Sequence, residues 1–213
     1  MVLKTELFIP SKNNPWKMLL GANLSNNSAM FRVWAPKAKK IKLKTQTPEK
    51  KEINMEYTRD GMFHTTVDDL TEGIRYSYSV NDGKDLPDPL SRFQPEGVHG
   101  PSAIVNPNSF HWQDKNWAGI SLGDFIIYEL HVGTFTREGT FESIIPHIGY
   151  LKDELGITAV ELMPIAQFPG TRNWGYDGVN LYAPQNSYGG PRGLKRLVNE
   201  LHKNRLAVIL DVV

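Results

Sequence analysis

The chain ends in Leu206-Ala-Val-Ile-Leu-Asp-Val-Val213, a near-continuous apolar run that predicts a buried parallel strand. Two earlier runs predict the same, Asp124-Phe-Ile-Ile-Tyr-Glu-Leu-His-Val132 and Ile157-Thr-Ala-Val-Glu-Leu-Met163. A parallel strand needs neighbours on both edges and helices over both faces. Because no residue of this sequence follows Val213 to supply them, we expect an incomplete sheet, the front part of a larger barrel.

Two helical segments separate these three strands. Thr140 is a suitable N-cap for a helix over residues 141–155. Pro146 lies inside that segment and removes a backbone donor, so we expect a separate first turn or a kink there. Pro191 suits the first position of a second helix. Strands and helices that alternate in this way, with right-handed crossovers, predict a parallel sheet.

Such a sheet can be an open doubly wound sheet or an eight-stranded barrel, and the loops distinguish the two. The first loop, Gly133-Thr-Phe-Thr-Arg-Glu-Gly139, is short and does not place glycines for a pyrophosphate, which disfavours a dinucleotide-binding fold. The loop after the second strand, residues 164–190, is long. A barrel with a substrate loop after its second strand is therefore the better fit.

Residues 1 to about 84 follow a different pattern, in which short runs of alternating apolar and polar residues recur between turn signals. The predicted strands are Lys17–Ala22, Ala29–Trp34, Lys40–Lys44, Glu52–Tyr57, Met62–Val67 and Ile74–Val80. Their spacing predicts an immunoglobulin-like all-β sandwich. Within it, the alternation of lysine with apolar residues over 37–44 predicts a strand with one solvated face.

Residues 85–122 contain too much proline and glycine for a helix or a central strand. They are also too aromatic for a plain flexible tether. We therefore expect an ordered linker along the surface of the next domain, anchored by Phe110, Trp112 and Trp117. The predicted domains are a β-sandwich over 1–84, this linker over 85–122, and the first three β/α units of an incomplete (β/α)8 barrel over 123–213.

The composition argues against several classes of function. There are 24 basic and 23 acidic residues, and the net charge of +1 gives no long-range field for nucleic acid or an anionic membrane. The absence of cysteine excludes disulfides and thiolate metal sites. No apolar run approaches the ~20 residues of a membrane span, and residues 1–17 lack the apolar core of a signal peptide. We expect a soluble cytoplasmic protein without a metal, a cofactor, or a nucleic-acid or membrane partner.

The long loop combines aromatic rings with planar amides and charged groups. Its aromatic residues are Phe168, Trp174, Tyr176, Tyr182 and Tyr188. This mixture suits sugars, because a pyranose offers an apolar C–H face for stacking and hydroxyls for hydrogen bonds. We predict substrate contact for Trp174 and Tyr176, and packing against the barrel rim for the other three.

Several motifs carry a family resemblance. Those of the barrel part are Glu161-Leu-Met-Pro-Ile-Ala-Gln-Phe-Pro-Gly170, Asn173-Trp-Gly-Tyr-Asp-Gly-Val179, Tyr188-Gly-Gly-Pro191 and Val208-Ile-Leu-Asp-Val-Val213. Together they resemble the alpha-amylase superfamily of glycoside hydrolases. Within it, Tyr128-Glu-Leu-His-Val-Gly-Thr-Phe-Thr136 and the motif over 88–102 are similar to the maltooligosyl trehalose trehalohydrolase subfamily. Phe31-Arg-Val-Trp-Ala-Pro36 resembles the N-terminal sandwich that this subfamily shares with glycogen branching and debranching enzymes.

The resemblance implies an α-glucan substrate and retaining hydrolysis of the α-1,4 bond next to the terminal trehalose of maltooligosyl trehalose. It places the three catalytic acids at the ends of barrel strands four, five and seven. None is therefore expected within this chain, and all are expected beyond Val213. The chain alone is expected to be inactive, because its own acids show no spacing that suggests a catalytic pair.

The resemblance also implies the residues that bind substrate. Tyr176 matches the tyrosine that stacks on the sugar just before the scissile bond, and Asn173 and Trp174 are expected to line the same cleft. Asp211 matches a supportive acid near the site, with a strand-end acid satisfied by local hydrogen bonds as the alternative. Glu129 and Glu161 lie within predicted buried strands, where an acid must be paired. They are assigned, with His131, to barrel structure and rim packing.

Two other functions remain open at this point. One is a glycogen branching enzyme, which shares the Trp174-Gly-Tyr176 core of the motif over 173–179. The other is a non-catalytic glucan-binding module, which needs exposed aromatic residues on a face of the sandwich. Trp34 and Tyr57 are the candidates, although Trp34 fits a core position better. We further expect residues 1–110 to fold alone and the barrel part to be poorly ordered or to associate through its open strand edges.

Overall fold

The structure is a computed structural model that describes residues 20–25, 27–46 and 50–213. The prediction about a signal peptide, which concerns residues 1–17, lies outside the described residues. The same holds for the first three residues of the predicted strand over 17–22. Where the description begins, β1 covers Gly21–Ser25, so this strand continues further along the chain than predicted.

Two antiparallel sheets form the predicted sandwich. The first has the order β1-β2-β6-β5, with β2 at Ser28–Trp34, β5 at Glu56–Tyr57 and β6 at Met62–Asp68. The second has the order β4-β3-β7-β8, with β3 at Ile41–Thr45, β4 at Lys51–Asn54, β7 at Arg75–Val80 and β8 at Asp85–Leu86. A short strand, β9 (Ser102–Ala103), also pairs with β7. The fold class predicted for this part is confirmed.

Alternate residues of facing strands fill the space between the two sheets. The largest buried side chains are Phe31, Phe63, Tyr76, Tyr78, Ile41 and Leu43. The rings of Phe31 and Tyr76, from opposite sheets, meet edge to face with centroids 5.0 Å apart. Complete burial of one such apolar side chain stabilises a fold by about 1.5–3 kcal/mol, so this cluster holds the sheets together.

The strand predicted over 52–57 is divided by Met55. Residues before Met55 pair in the second sheet as β4, and residues after it pair in the first sheet as β5. The Met55 N–H donates to the Ile41 carbonyl at 2.9 Å, and its side chain is buried in the core. The chain therefore crosses between the sheets through a single buried residue, which an uninterrupted alternation pattern does not reveal.

The solvated face predicted for β3 is confirmed. Lys42 Nζ lies 2.5 Å from Glu52 Oε1, and Lys44 Nζ lies 2.7 Å from Asp85 Oδ1. These contacts raise the pKa of both lysines, and the hydrogen bond from Lys42 lowers the pKa of Glu52. Exposed ion pairs of this kind contribute little to stability.

The barrel part contains a parallel sheet with the order β10-β11-β14. The strands are β10 (Ile127–Leu130), β11 (Ala159–Leu162) and β14 (Ala207–Leu210). They confirm the first three β/α units of the predicted barrel. The long loop holds a feature that was not predicted, an antiparallel pair formed by β12 (Ala166–Gln167) and β13 (Asn180–Pro184).

The helix predicted over 141–155 is helical throughout most of its length but changes its hydrogen-bond pattern twice. A short helix, α1 (Val132–Phe135), precedes it, and it begins as α2 (Phe141–Ile144). The Thr140 hydroxyl accepts the Ser143 N–H at 3.2 Å, which confirms the predicted N-cap. A 3₁₀ turn at Ile145–His147 and a π-helical turn at Tyr150–Glu154 follow. Pro146 lacks an N–H and cannot continue the α pattern, which explains the first change.

Helix α3 spans Gly190–Lys203 and has Pro191 in its first turn, as predicted. It packs with α2 on one side of the parallel sheet, where the second hydrophobic core lies. The buried core includes Leu130, Val132, Phe141, Ile144, Ile148, Leu151, Val160, Leu162, Leu197 and Leu201. The opposite face of the sheet is different: Ile127 is 50% exposed, and Glu129 is also exposed. The uncovered face of β10 agrees with the expected incomplete sheet, while Ala159, Val160 and Leu162 of β11 are buried as predicted.

The first half of the linker packs mainly on the sandwich. Ile104 joins the sandwich core, and Asp88 is fully buried. The Asp88 carboxylate accepts the Tyr76 hydroxyl at 2.7 Å and the Leu90 N–H at 2.9 Å. Burial nevertheless raises the pKa of Asp88, because removing its charge from water outweighs these hydrogen bonds. The sequence did not reveal this placement, because Asp88 lies in a proline-rich segment without periodicity.

The second half of the linker docks on α3. The Trp117 ring stacks on His202 with centroids 4.7 Å apart, and His202 Nδ1 lies 2.7 Å from Asp114 Oδ2. The Gln113 N–H donates to the buried Asn199 side chain at 2.7 Å. Trp117 is thus an anchor, as predicted. The other two predicted anchors, Phe110 and Trp112, pack against each other with centroids 4.7 Å apart.

Two residues of the first half, Phe93 and Pro95, also contact the barrel part. The Asn186 side-chain amide donates to the Pro95 carbonyl at 3.0 Å. A Cβ on Gly190 would lie 2.7 Å from the Phe93 ring, so the small residue lets the linker approach the start of α3. The linker is therefore in contact with both folded parts. No helix among the described residues is both long enough and apolar enough to cross a membrane.

Candidate substrate site

The loop over residues 164–190 is stabilised by two buried glutamine amides. The Gln185 Oε1 accepts the Phe168 N–H at 3.0 Å, and its Nε2 donates to the Gly170 carbonyl at 2.9 Å. The Gln167 Oε1 accepts the Asn186 N–H at 2.9 Å. Both side chains are fully buried. Amides of this loop that would suit a sugar by their chemistry therefore bind the loop backbone instead.

The loop aromatics predicted to pack against the rim fall into two groups. Phe168 and Tyr188 are buried, with ring centroids 5.7 Å apart, which confirms the prediction for both. Burial raises the pKa of Tyr188 to about 12. Tyr182 is 52% exposed, so the prediction of a packing role is wrong for this residue. It lies on β13, where its ring faces a cavity described below.

We call residues 173–176 the binding segment. His131, which follows β10, fixes the first residue of this segment, Asn173. Its Nε2 lies 2.7 Å from the Asn173 carbonyl oxygen and 3.1 Å from the Tyr188 hydroxyl. Because a carbonyl can only accept, Nε2 carries the proton and donates to Asn173. The Nδ1 atom lies 3.0 Å from the Thr134 hydroxyl, so both ring nitrogens have a hydrogen-bond partner. His131 packs at the rim as predicted. It also donates a hydrogen bond to the loop, which was not predicted.

Asn173 and Gly175 set the conformation of the same segment. The Asn173 Oδ1 accepts the Gly175 N–H at 2.7 Å, and its Nδ2 donates to Asp177 Oδ2 at 2.9 Å. Gly175 has φ +104°, and a Cβ there would lie 2.2 Å from the Pro164 carbonyl oxygen. Only glycine fits both the backbone angle and the contact. The amide of Asn173 is thus engaged at both ends by its own loop.

Tyr176 and Asp211 meet at the end of β14. The Tyr176 hydroxyl donates to Asp211 Oδ2 at 3.3 Å, while 52% of the tyrosine remains exposed. Partial desolvation raises the pKa of Tyr176, and the charge of Asp211 raises it further. The Asp211 N–H donates to the Leu162 carbonyl at 3.0 Å, which fixes the acid against β11. Asp211 is therefore a strand-end acid with local hydrogen bonds, which was the alternative interpretation. The partner of its carboxylate is Tyr176, the predicted stacking residue.

Three strand ends together hold the binding segment. His131 after β10 binds Asn173, Pro164 after β11 contacts Gly175, and Asp211 after β14 binds Tyr176. All three contacts lie at the C-terminal ends of parallel strands, which is the face where barrel enzymes form their sites. The alternation of strands and helices thus brings together residues that are far apart in the chain.

Two cavities lie beside the segment. The first, of about 520 Å³, is lined by Tyr176, Asp211, Tyr182 and several apolar residues that include Leu210. The second, of about 480 Å³, is lined by His131, Gly133, Thr134, Thr171, Arg172, Asn173 and Trp174. Tyr176 and Trp174 thus face different cavities, although one cleft was expected for both.

Carboxyl groups are scarce in both cavities. Among the described residues that line them, Asp211 is the only acid. Glu129 and Glu161 are neighbours in the register of β10 and β11 and line neither cavity. Retaining hydrolysis requires two carboxyl groups about 5 Å apart, which the described lining does not supply. No group of three or more potential ligands that could hold a metal ion occurs in the described part of the chain.

Comparison with known proteins agrees with this arrangement. Residues 104–213, more than half of the chain, match the family model of the alpha amylase catalytic domain. Residues 19–92 match carbohydrate-binding module 48, the isoamylase N-terminal domain. A crystal structure of a Salmonella typhimurium protein assigned to alpha amylase has a TM-score of 0.88 and 40% identity. The matched region covers 92% of this chain and 33% of the Salmonella typhimurium chain.

Relatives with curated names point to a narrower group. The chain is 54% identical over 196 residues to the malto-oligosyltrehalose trehalohydrolase of Saccharolobus solfataricus, which covers 92% of this chain. It is 32% identical over 235 residues to the 1,4-alpha-glucan branching enzyme GlgB 2 of Clostridium perfringens. The chain spans 34% and 35% of the length of these two proteins. With a matching catalytic-domain model over more than half of its residues, the chain belongs to the alpha-amylase family of glycoside hydrolases.

Proposed function

We propose that this chain is part of an enzyme that releases trehalose from maltooligosyl trehalose by retaining hydrolysis of the adjacent α-1,4 bond. The observation that carries this proposal is the 54% identity, over 92% of the chain, to a malto-oligosyltrehalose trehalohydrolase. The lower identity of 32% to a branching enzyme makes that alternative the weaker one. An aromatic loop over the C-terminal ends of the strands supports an α-glucan substrate.

Within this proposal, Tyr176 is the platform on which a sugar ring stacks. More than half of its surface is exposed, and its ring lines a cavity of about 520 Å³. Asp211 holds the tyrosine hydroxyl and lines the same cavity, so it fixes the position of the ring and borders the bound sugar. Asn173 acts on the loop, because both ends of its amide are engaged there.

The catalytic acids are proposed to come from strands other than the three described. The described lining contains only one carboxyl group, and retaining chemistry needs a nucleophile and a separate acid/base. We therefore expect the 213-residue chain alone to release no trehalose. We also place the enzyme in the cytoplasm, in trehalose biosynthesis, since a chain without cysteine suits a reducing compartment.

The test is to incubate the full-length protein with maltooligosyl trehalose and to identify the products by chromatography. Release of free trehalose is the expected result. New α-1,6 linkages without trehalose would instead identify a branching enzyme. The 213-residue chain serves as the control, and trehalose release by it would contradict the proposed origin of the catalytic acids.

A glucan-binding surface on the sandwich is a second candidate function, which the exposure of Trp34 favours. Trp34 is 61% exposed, so the interpretation of this residue as core is wrong. Its Nε1 donates to the Asp60 carbonyl at 3.2 Å, which holds the ring at the surface. Calorimetric titration of the full-length protein and of its Trp34→Ala variant with maltoheptaose tests this function. Identical binding by the two proteins would remove it.

A further inference from the structure

We propose that the sandwich positions the substrate-binding loop through two linker residues, Phe93 and Pro95, which touch the loop just before α3. The Phe93 ring packs on Gly190, and the Pro95 carbonyl accepts the Asn186 side-chain amide at 3.0 Å. Since the positioned loop is the one proposed to bind an α-glucan, this role rests on the proposed function. It makes residues outside the barrel part necessary for tight substrate binding.

The backbone on both sides of the Phe93 ring is fixed on the sandwich. The Arg92 guanidinium donates to the Ala22 carbonyl and, at 3.2 Å, to the Asn23 side chain, and both of these residues belong to β1. The Phe93 carbonyl accepts the Ala103 N–H at 2.9 Å, and Ala103 lies on β9, which pairs with β7. Phe93 is thus attached to both sheets of the sandwich.

Pro95 is held through its neighbour Gln94, whose side chain is fully buried. The Gln94 Nε2 donates to the carbonyls of Gly97 and Gly100 at 3.2 and 3.1 Å. Its Oε1 accepts the hydroxyl of Ser102, a residue of β9, at 2.5 Å. A buried polar group with all its partners in place rigidifies the backbone around it. The carbonyl that Pro95 offers to the loop therefore has a fixed position.

The two linker contacts lie on either side of the buried Tyr188. A 3₁₀ turn spans Asn186–Tyr188, and α3 begins at Gly190. The Asn186 amide is held by Pro95 before the tyrosine, and Gly190 is held by Phe93 after it. Contacts at both ends of so short a segment determine where the Tyr188 ring enters the core.

Tyr188 in turn fixes the binding segment through His131. The Tyr188 hydroxyl lies 3.1 Å from His131 Nε2, the atom that also donates to the Asn173 carbonyl. A Cβ on Gly133 would lie 3.0 Å from both rings, so the two rings are packed without spare room. A shift of the 3₁₀ turn would therefore displace His131 and Asn173. Phe93 and Pro95 line neither cavity, so both are positioning residues.

The test compares steady-state kinetics of full-length variants on maltooligosyl trehalose. For Phe93→Ala we expect an about tenfold higher KM and a kcat within about twofold of wild type, because the catalytic acids are proposed to lie on other strands. Phe93→Leu keeps an apolar side chain over Gly190 and should recover most of the wild-type KM. Asn186→Asp removes the donor to Pro95 and should give a smaller rise. Phe110→Ala, which removes another half-buried ring of the linker, is the matched control.

Amide hydrogen exchange on the same proteins separates this role from the proposed function, because it requires no turnover. Peptides over residues 173–190 should exchange about ten times faster in Phe93→Ala than in wild type, whereas those of β3 and β7 should not change. Unchanged exchange over 173–190 would overturn the positioning role, even in a protein that releases trehalose. Faster exchange there would support it, even in a protein that releases none. An unchanged KM of Phe93→Ala in an active enzyme would also overturn it.

A substitution on the barrel side tests the same contact independently of folding. Gly190→Ala places a Cβ 2.7 Å from the Phe93 ring, and in the double variant with Phe93→Ala this ring is absent. Because both changes disturb one contact, the KM of the double variant should be close to that of Phe93→Ala alone. A KM equal to the product of the two single effects would show that the ring and the loop act independently.

Discussion

Gly175 is the residue on which the geometry of the candidate site depends most directly. It occupies the left-handed region at φ +104°, and its Cα faces the Pro164 carbonyl at a distance that excludes a Cβ. The residues on either side of it, Trp174 and Tyr176, carry the proposed sugar contacts. A side chain at position 175 would have to move the loop away from the end of β11.

We predict that Gly175→Ala lowers kcat/KM of the full-length enzyme by about 100-fold, because a shift of about 1 Å at a binding residue has an effect of that order. Gly170→Ala is the matched control. Gly170 also has a positive φ, +78°, but no atom lies within 4 Å of its added Cβ. This variant should lose some stability and keep most of its activity. Equal activity of the two variants would contradict the role of the Pro164 contact.

Asp88 gives a second prediction at the residue scale, about pH. Burial raises its pKa in the folded state above the ordinary value of 3.8. The folded protein therefore binds this proton more tightly than the unfolded chain, and the resulting stability is lost as pH rises through the raised pKa. The amide of the Asp88→Asn variant does not titrate. The free energy of unfolding of wild type minus that of Asp88→Asn should thus decrease as the pH rises above 3.8.

In the control variant, Asp60→Asn, the stability difference from wild type should change with pH in the opposite direction. The hydrogen bond from Thr58 lowers the pKa of Asp60, so its contribution to stability is present above 3.8 and is lost as pH falls. Urea denaturation at each pH measures both variants. A difference between wild type and Asp88→Asn that does not depend on pH would show that the folded and unfolded pKa values of Asp88 are equal.

At the scale of single elements, the start of α2 depends on its cap. The Thr140 hydroxyl accepts the Ser143 N–H, and the Ser143 hydroxyl in turn accepts the Thr140 N–H at 3.1 Å. We predict that Thr140→Ala destabilises the barrel part by about 1 kcal/mol in denaturant unfolding. Thr140→Ser keeps the hydroxyl and should change the stability by only a few tenths of that value. Equal stability of the two variants would show that the cap does not matter.

Sequence reasoning located most elements, because hydrophobic periodicity and capping residues are local signals. It predicted the helix start at Thr140 and the disturbance at Pro146, since both follow from the chemistry of one residue. It missed the crossing at Met55, because a strand that changes sheets keeps the same alternation of side chains. Which sheet a segment joins is decided by contacts distant in the chain.

The candidate site was predictable in part. The resemblance pointed to Tyr176 and Asp211, and the structure joins the two by a hydrogen bond. The separation of Trp174 from Tyr176 was not predictable, because it depends on a contact between Gly175 and Pro164 across the loop. The buried glutamines 167 and 185 were missed for a similar reason, since an amide gives no sequence signal of whether it faces solvent or backbone.

At the scale of the whole molecule, the two folded parts differ in how their strands are covered. In the sandwich, β2, β6, β3 and β7 each pair with strands on both sides. In the parallel sheet, β11 has two partners, whereas β10 and β14 each have one among the described residues. Backbone groups at an unpaired edge are open to solvent and to pairing with other chains.

We therefore predict that amide hydrogen exchange in the 213-residue chain is slowest in the central strands of the sandwich and faster in β10 and β14. Mass spectrometry of peptides from each region measures this order. The sandwich strands serve as the internal control for overall stability. Uniformly high protection across residues 125–213 in a monomeric sample would contradict the prediction of a poorly ordered barrel part.

The double attachment of the linker has a practical meaning for building chimeric enzymes. A junction at residue 84 would separate Asp88 from the tyrosine that donates to it and Ile104 from the core it completes. A junction between residues 105 and 112 would leave those contacts intact and also keep Asp114 with His202. A sandwich module transplanted onto this barrel part would still need a ring in the place of Phe93 to fit over Gly190. It would also need a backbone carbonyl in the place of Pro95 to accept the Asn186 amide.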